Sequence, residues 1–148
     1  MGQKVNPIGM RVTVTKAWRS RWFADRRRYG EFAVEDDRIR RWTLDYFKDA
    51  AVADVEIERH GDLVRVTIHT ARPGVVMGRR GSEDRREGLR KLLAERTKRD
   101  VYVDVVEVPH PERNAQLVAE GIAAQLVRRV SFRRAMKRAM QNAMRLGA

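Results

Sequence analysis

Val75-Val76-Met77-Gly78-Arg79-Arg80-Gly81-Ser82-Glu83 joins an apolar run to two glycines that bracket two arginines. Ser82 follows as a helix N-cap, with Glu83 and Asp84 in the first turn. Glycine turns tightly and brings its backbone N–H close to a phosphate because no Cβ stands in the way. Arg79 and Arg80, held between the glycines, add charge-assisted donors. Gly-x-x-Gly alone is a weak signal. It also occurs by chance in ordinary strand-to-helix connections, so the flanking sequence has to decide.

Working outward, residues 35–50 have helical spacing. Ile39, Trp42, Tyr46 and Ala50 share a face, Phe47 lies beside them, and Asp36 and Asp37 occupy the first turn. Val55 and Ile57 alternate with Glu56 and Glu58, and His60-Gly61-Asp62 is a turn. Val64, Val66 and Ile68 then alternate with Arg65, Thr67 and His69. That is a β-hairpin with one buried face. Pro73 and Gly74 end it, and a short apolar turn from Val75 to Met77 delivers the chain to Gly78. A helix over 83–98 presents Leu89, Leu92 and Leu93. Its first turns carry Arg85 and Arg86 in place of a buried residue, and Gly88 weakens a helix, so this half is expected to pack loosely. Val101, Val103 and Val105 make a last strand, closed by Pro109 and Pro111.

The chain has 148 residues, enough for one core with appendages. Its 32 Lys and Arg against 20 acids give a formal net charge of +12, which suits a polyanionic partner. No apolar run has the length of a membrane span, the first residues lack a signal-peptide core, and Asn6 stands where a myristoylation signal wants Ser or Thr. The chain is therefore expected to work off the membrane. With no cysteine, thiol catalysis and zinc ribbons are excluded and a reducing compartment fits. The distribution of charge says more. Residues 1–30 carry +7, residues 109–148 carry +6, and the middle, 31–108, carries −1. A near-neutral folded module sits between two polyanion-binding extensions.

The first extension reads as an irregular arm, with Pro7 and Gly9 breaking any early helix and Val12 and Val14 alternating as in a short strand. Its cations are Lys4, Arg11, Lys16, Arg19, Arg21, Arg26, Arg27 and Arg28. Arginines interleaved with aromatics can pair with phosphates and stack on unpaired bases. Trp18, Trp22 and Phe23 are read here as anchors of the arm, and only the arginines as RNA contacts. In the second extension, residues 112–130 put Ala115, Val118, Ala119, Ile122 and Leu126 on a stripe. Over 132–146, Arg133, Arg134, Lys137, Arg138 and Arg145 fall within an arc of about 140°. Phe132, Ala135, Met136, Ala139, Met140 and Ala143 take the other side, read as core or helix–helix contact. A solvated face usually mixes signs, and this one does not.

The order helix, strand, strand, short helix, Gly-x-x-Gly, helix, strand resembles a type II KH domain, in which Gly78, Arg79, Arg80 and Gly81 clamp a nucleic-acid backbone. The ends are more specific. Gly2-Gln3-Lys4-Val5-Asn6-Pro7 with Gly9, Trp22-Phe23-Ala24, and Val66-Thr67-Ile68-His69-Thr70-Ala71-Arg72-Pro73-Gly74 resemble the bacterial-type third-protein family of the small ribosomal subunit. So do Phe132-Arg133-Arg134-Ala135-Met136-Lys137-Arg138-Ala139 and Gln141-Asn142-Ala143-Met144-Arg145-Leu146-Gly147-Ala148. The resemblance runs from the first residue to the last. Between Gly81 and Leu89 the chain is about two residues longer and more polar than the family pattern. The family also continues past Leu-Gly-Ala with a sheet under its last helices, so a C-terminally truncated domain is expected.

The expected fold is therefore α+β: a type II KH domain over 31–109, with a three-stranded sheet and helices on one face, a basic arm over 1–30, and a helical hairpin over 110–148. The resemblance implies a structural constituent of the cytoplasmic small ribosomal subunit, bound to ribosomal RNA. It also implies neighbouring ribosomal proteins, the tenth and fourteenth, as partners. It places Arg133, Arg134 and Lys137, with Arg138 on the same face, where messenger RNA enters. The competing reading is a free-standing KH regulator or assembly factor, in which charge would concentrate around the KH groove. A nuclease or lyase has no candidate group: His60, His69 and His110 lack ligand spacing, and no Walker motif, nucleophile elbow or carboxylate pair occurs. No cofactor is expected.

Overall fold

The computed structural model describes residues 2–78 and 84–147. Strands β1 (Ser20–Arg21), β2 (Val52–His60), β3 (Leu63–Thr70) and β4 (Asp100–Glu107) form one sheet in the order β1-β2-β3-β4. β2 and β3 are the expected antiparallel hairpin, with Ile57 opposite Val66 and Val55 opposite Ile68, while β3 runs parallel to β4 and β1 parallel to β2. Gly61 makes the hairpin turn at φ 64°, where a Cβ would be strained. Helices α1 (Pro7–Arg11), α2 (Arg26–Tyr46), α3 (Pro73–Met77), α4 (Arg85–Thr97), α5 (Ala115–Val127) and α6 (Phe132–Arg145) complete the chain. This is the type II KH arrangement with C-terminal helices, and the arm has added a short fourth strand to the expected three.

Alternation places Val55, Ile57, Val64, Val66, Ile68, Val101 and Val103 on one face of the sheet, all buried. Ile39, Thr43, Phe47 and Ala50 from the α2 segment, Val76 from α3, and Leu89 and Leu93 from α4 close over them. Each large aliphatic chain so buried contributes about 1.5–3 kcal/mol. Trp42 and Tyr46, expected to lead the α2 face, flank it half-buried.

Several expectations are corrected. The helix predicted over 35–50 begins at Arg26, so Asp36 and Asp37 lie in its middle, not in its first turn. The arm is not wholly irregular: Asn6 caps the five-residue α1, accepting from the N–H groups of Ile8 and Gly9. Val12 makes only an isolated bridge to Lys16, and the arm's strand falls at Ser20–Arg21. Helix α4 starts at Arg85 with Asp84 as its cap, accepting from the Arg86 N–H; Ser82 and Glu83 lie outside the described residues.

The first half of α4 is pinned, not loose. Arg85 donates to both Asp49 oxygens at 2.8 and 3.1 Å and to the Tyr46 carbonyl at 3.1 Å, over the Phe47 ring at 5.3 Å. Gly88 leaves room for the Tyr46 hydroxyl, which a Cβ there would meet at 2.6 Å. At the other end, residues 112–130 divide into a 3-10 turn, Pro111–Arg113, and α5, capped by Asn114. The packed side of α5 is Leu117, Val118 and Ile122, while Ala115, Ala119 and Leu126 are exposed. The hairpin packs thinly: no residue of α5 is fully buried, and Ala135 is the one buried residue of α6.

Candidate nucleic-acid interface

Three stretches of the chain are candidates for contact with nucleic acid: the glycine loop, the arm and α6. At the loop, Val76 is buried and Gly78 takes φ 76°, ψ 162°, so α3 stops where glycine can turn the chain. Past the loop, Asp84 caps α4 and Arg85 is held as described above. Arg79, Arg80 and Gly81, the rest of the expected backbone clamp, lie outside the described residues.

The arm is tied down by one buried carboxylate. Asp36 accepts from Ser20 Oγ at 2.6 Å, from Trp22 Nε1 at 2.7 Å and from Arg59 Nε at 3.0 Å. Arg59 continues the inward alternation after Val55 and Ile57. Its guanidinium also meets Glu35 at 2.6 Å and lies 4.6 Å from the Phe32 ring centre. With the Arg59 and Asp36 side chains each 2% exposed, this charge pair stands only because every lone pair finds a donor. Arg40 adds donors to the Arg19 carbonyl and Ser20 Oγ, and burial pulls its pKa down against the opposing pull of Asp36. Trp22 is thus the anchor the sequence led us to expect, packed against Tyr29 and Phe32. Its neighbours are not: Trp18 is 60% exposed and Phe23 is 92% exposed.

The arm's cations fall into two kinds. Arg19 pairs with Asp54, and Arg21 with Glu56 and Glu58, stitching β1 to β2. Lys4, Arg11, Lys16, Arg26, Arg27 and Arg28 are exposed, with no carboxylate at ion-pair distance among the described residues. Arg26, Arg27 and Arg28 form the first turn of α2, which holds no acid, and Asp25 makes no side-chain cap there. Cations at the positive end of a helix are unfavourable until an anion joins them.

The third region is α6. Arg133, Arg134, Lys137, Arg138 and Arg145 are all exposed and unpaired among the described residues. On its other side the reading is corrected: Ala135 is buried and Ala139 and Ala143 are half-buried, but Phe132, Met136, Met140 and Met144 are 56–67% exposed. The large side chains of that stripe are not core.

The histidines remain scattered, with His69 Nε2 3.5 Å from Glu56 Oε1. Among the described residues no cluster could hold a metal ion, and no helix is long and apolar enough to cross a membrane.

An antiparallel hairpin, a parallel partner strand and the helices packed on one face of the sheet form a KH-like arrangement, and the family comparison agrees. A family model for the KH domain matches residues 38–113, and this chain belongs to that family. Over its whole length it is 57% identical to the small ribosomal subunit protein uS3 of Cereibacter sphaeroides (strain ATCC 17025), covering 61% of that protein. It is likewise 57% identical to uS3 of Ruegeria pomeroyi, covering 62%, and 55% identical to uS3 of Persephonella marina, covering 65%. The chain thus spans a little over three fifths of the length of these relatives.

Proposed function

We propose that the chain is a non-enzymatic, RNA-binding constituent of the small ribosomal subunit in the cytoplasm. Its two basic ends hold ribosomal RNA, and Gly78, Arg79, Arg80 and Gly81 form a backbone clamp for a single strand. The observation that carries this reading is the similarity to uS3 proteins along all 148 residues. The free cations on the arm and on α6 support it, because contacts with phosphate need cations that the protein itself leaves unpaired. The finer assignment follows the same line. Arg133, Arg134, Lys137 and Arg138 face messenger RNA where it enters, and the thinly covered helices meet neighbouring ribosomal proteins, the tenth and fourteenth. The basic arm runs over residues 1–30, the KH domain over 31–109 and the helical pair over 110–148.

Sucrose-gradient sedimentation of the tagged chain from a cell lysate tests the reading. Co-migration with the small subunit, resistant to moderate salt, is expected. A chain that stays at the top of the gradient while binding free single-stranded RNA would instead be a free-standing KH regulator or assembly factor.

A further inference from the structure

The arm holds a feature that the basic residues alone do not account for. Phe23 is 92% exposed although both sides of it are fixed. Before it, Trp22 is tied to Asp36 and packed on Tyr29 and Phe32. After it, the Asp25 carbonyl accepts from the N–H groups of Arg28 and Tyr29, both at 2.9 Å, starting α2. Trp22 packs inward, half-buried, while the next side chain, Phe23, is left to solvent. An aromatic ring held to solvent between two anchored residues is already ordered for contact.

Phe23 borders an open hollow of about 250 Å³, lined also by Asp25, Arg28, Phe32, Asp62 and Arg99. The cations there have donors to spare. Arg28 has no carboxylate partner among the described residues, and Arg99 reaches Glu35 and Asp62 only at 3.6 and 3.7 Å, too long for hydrogen bonds. Arg99 also lies 4.8 Å from the Phe32 ring centre, which keeps its guanidinium at the rim. The carboxylate of Asp62, 99% exposed, is an acceptor beside Arg99 on the same rim.

We propose that this hollow is a binding site for one unpaired nucleotide of RNA. The base stacks on Phe23, the adjoining phosphates meet Arg28 and Arg99, and Asp62 accepts from an amino group on the base edge. A phosphate alone would not need the ring, and an apolar peptide would not need the unpaired Arg28 and the spare donors of Arg99 beside it. The site rests on the reading of the basic arm as an RNA contact, and it lies apart from the glycine loop.

The test uses the full chain and fluorescence anisotropy with three labelled probes: a short oligoadenylate, the same strand paired with oligouridylate, and a strand of abasic nucleotides. Phe23→Ala should weaken binding to the unpaired strand about fivefold or more, in line with base–aromatic stacking, and change the other two less than about twofold. The salt dependence should keep its slope, since no ion pair is lost. Phe23→Trp should retain the affinity and Phe23→Leu should lose it. Such an exposed side chain can be removed without unfolding the chain, which matched circular dichroism would verify. Equal loss on all three probes, or no loss on any while the wild type binds, overturns the proposal and spares the arm reading. Unchanged RNA affinity with lost co-sedimentation would assign Phe23 to a protein neighbour and also overturn it. A wild type that binds no strand at all would remove the arm reading and this site together.

Discussion

The centre and the two ends of this chain use arginine differently. In the centre, many arginines face carboxylates: Arg41 meets Asp37, Arg85 meets Asp49, Arg90 meets Glu87, and Arg59 is buried with Asp36 and Glu35. At the ends, Arg26, Arg27, Arg28 and the five cations of α6 have no such partner among the described residues. The acids of the chain are concentrated in the middle, so charge there is spent on holding the fold. Apart from Arg19 and Arg21, which pair with acids of β2, the cations at the ends have no carboxylate partner among the described residues. The difference teaches that net charge by itself does not locate a contact with a polyanion, and on the function proposed above the unpaired charge marks it.

The sharpest way to break the central half is Asp36→Ala. It leaves Arg59 buried without its carboxylate and removes the acceptor for Ser20 and Trp22, and should destabilise by about 3–5 kcal/mol. Urea denaturation measures the loss, and faster tryptic cleavage after Arg19 and Arg21 would mark release of the arm. Replacing Arg59 by Met in the same chain should recover part of the loss. An unchanged denaturation midpoint would mean that the arm is held elsewhere.

A smaller effect concerns Gly88. Alanine in a helix interior is ordinarily favoured over glycine by about 0.5–1 kcal/mol. Here the gain should be cancelled or reversed by the Tyr46 hydroxyl and should reappear in a Tyr46→Phe background. A double-mutant cycle in urea measures the coupling. Additive changes would show that the hydroxyl moves away freely.

Among the ends, the α6 strip offers a contrast of its own. Met136→Gln with Met140→Gln should leave stability within about 0.5 kcal/mol, as expected of exposed positions. Light scattering at high concentration should fall, because exposed apolar strips promote association. Equal scattering by variant and wild type would mean that the strip is not sticky.

The smallest expected effect is acid loosening of α4. Hydrogen bonding to Arg85 holds the Asp49 carboxyl below its usual pKa, and Arg90 does the same for Glu87. A depressed folded pKa gives stability that is complete above the ordinary carboxylate range, near pH 4, and is lost as pH falls through the folded value. Arg85→Gln should flatten that acid limb, with hydrogen exchange at the first turn of α4 as the readout.

Much of this architecture was legible from residue patterns. Two-residue alternation located β2, β3 and β4, because burial on one face leaves a period of two, and Gly61 marked the turn from β2 to β3. Other features carried no such mark. Arg26 to Gly30 lie ahead of the apolar spacing that marks the helix and so read as part of the arm, yet α2 begins at Arg26. Continuing the alternation from Val55 and Ile57 one step further would have put Arg59 inside and pointed to a buried carboxylate. Trp22 and Phe23 are indistinguishable as neighbours in a string, yet the backbone turns one in and the other out. The exposure of the methionines on α6 could not be read from helical spacing, which gives a face but not what lies against it.

The most direct test of unpaired charge as the RNA contact compares two triple variants of equal charge change. One replaces Arg26, Arg27 and Arg28 by Ala; the other replaces Arg41, Lys48 and Arg90, which pair with Asp37, Asp45 and Glu87. The quantity measured is the slope of log affinity for ribosomal RNA against log salt. The arm variant should lose about 0.7–0.9 of slope for each phosphate contact removed, while the paired-cation variant keeps nearly the wild-type slope. Equal losses in the two variants would contradict the account, because RNA would then be reading total charge regardless of how the fold has paired it.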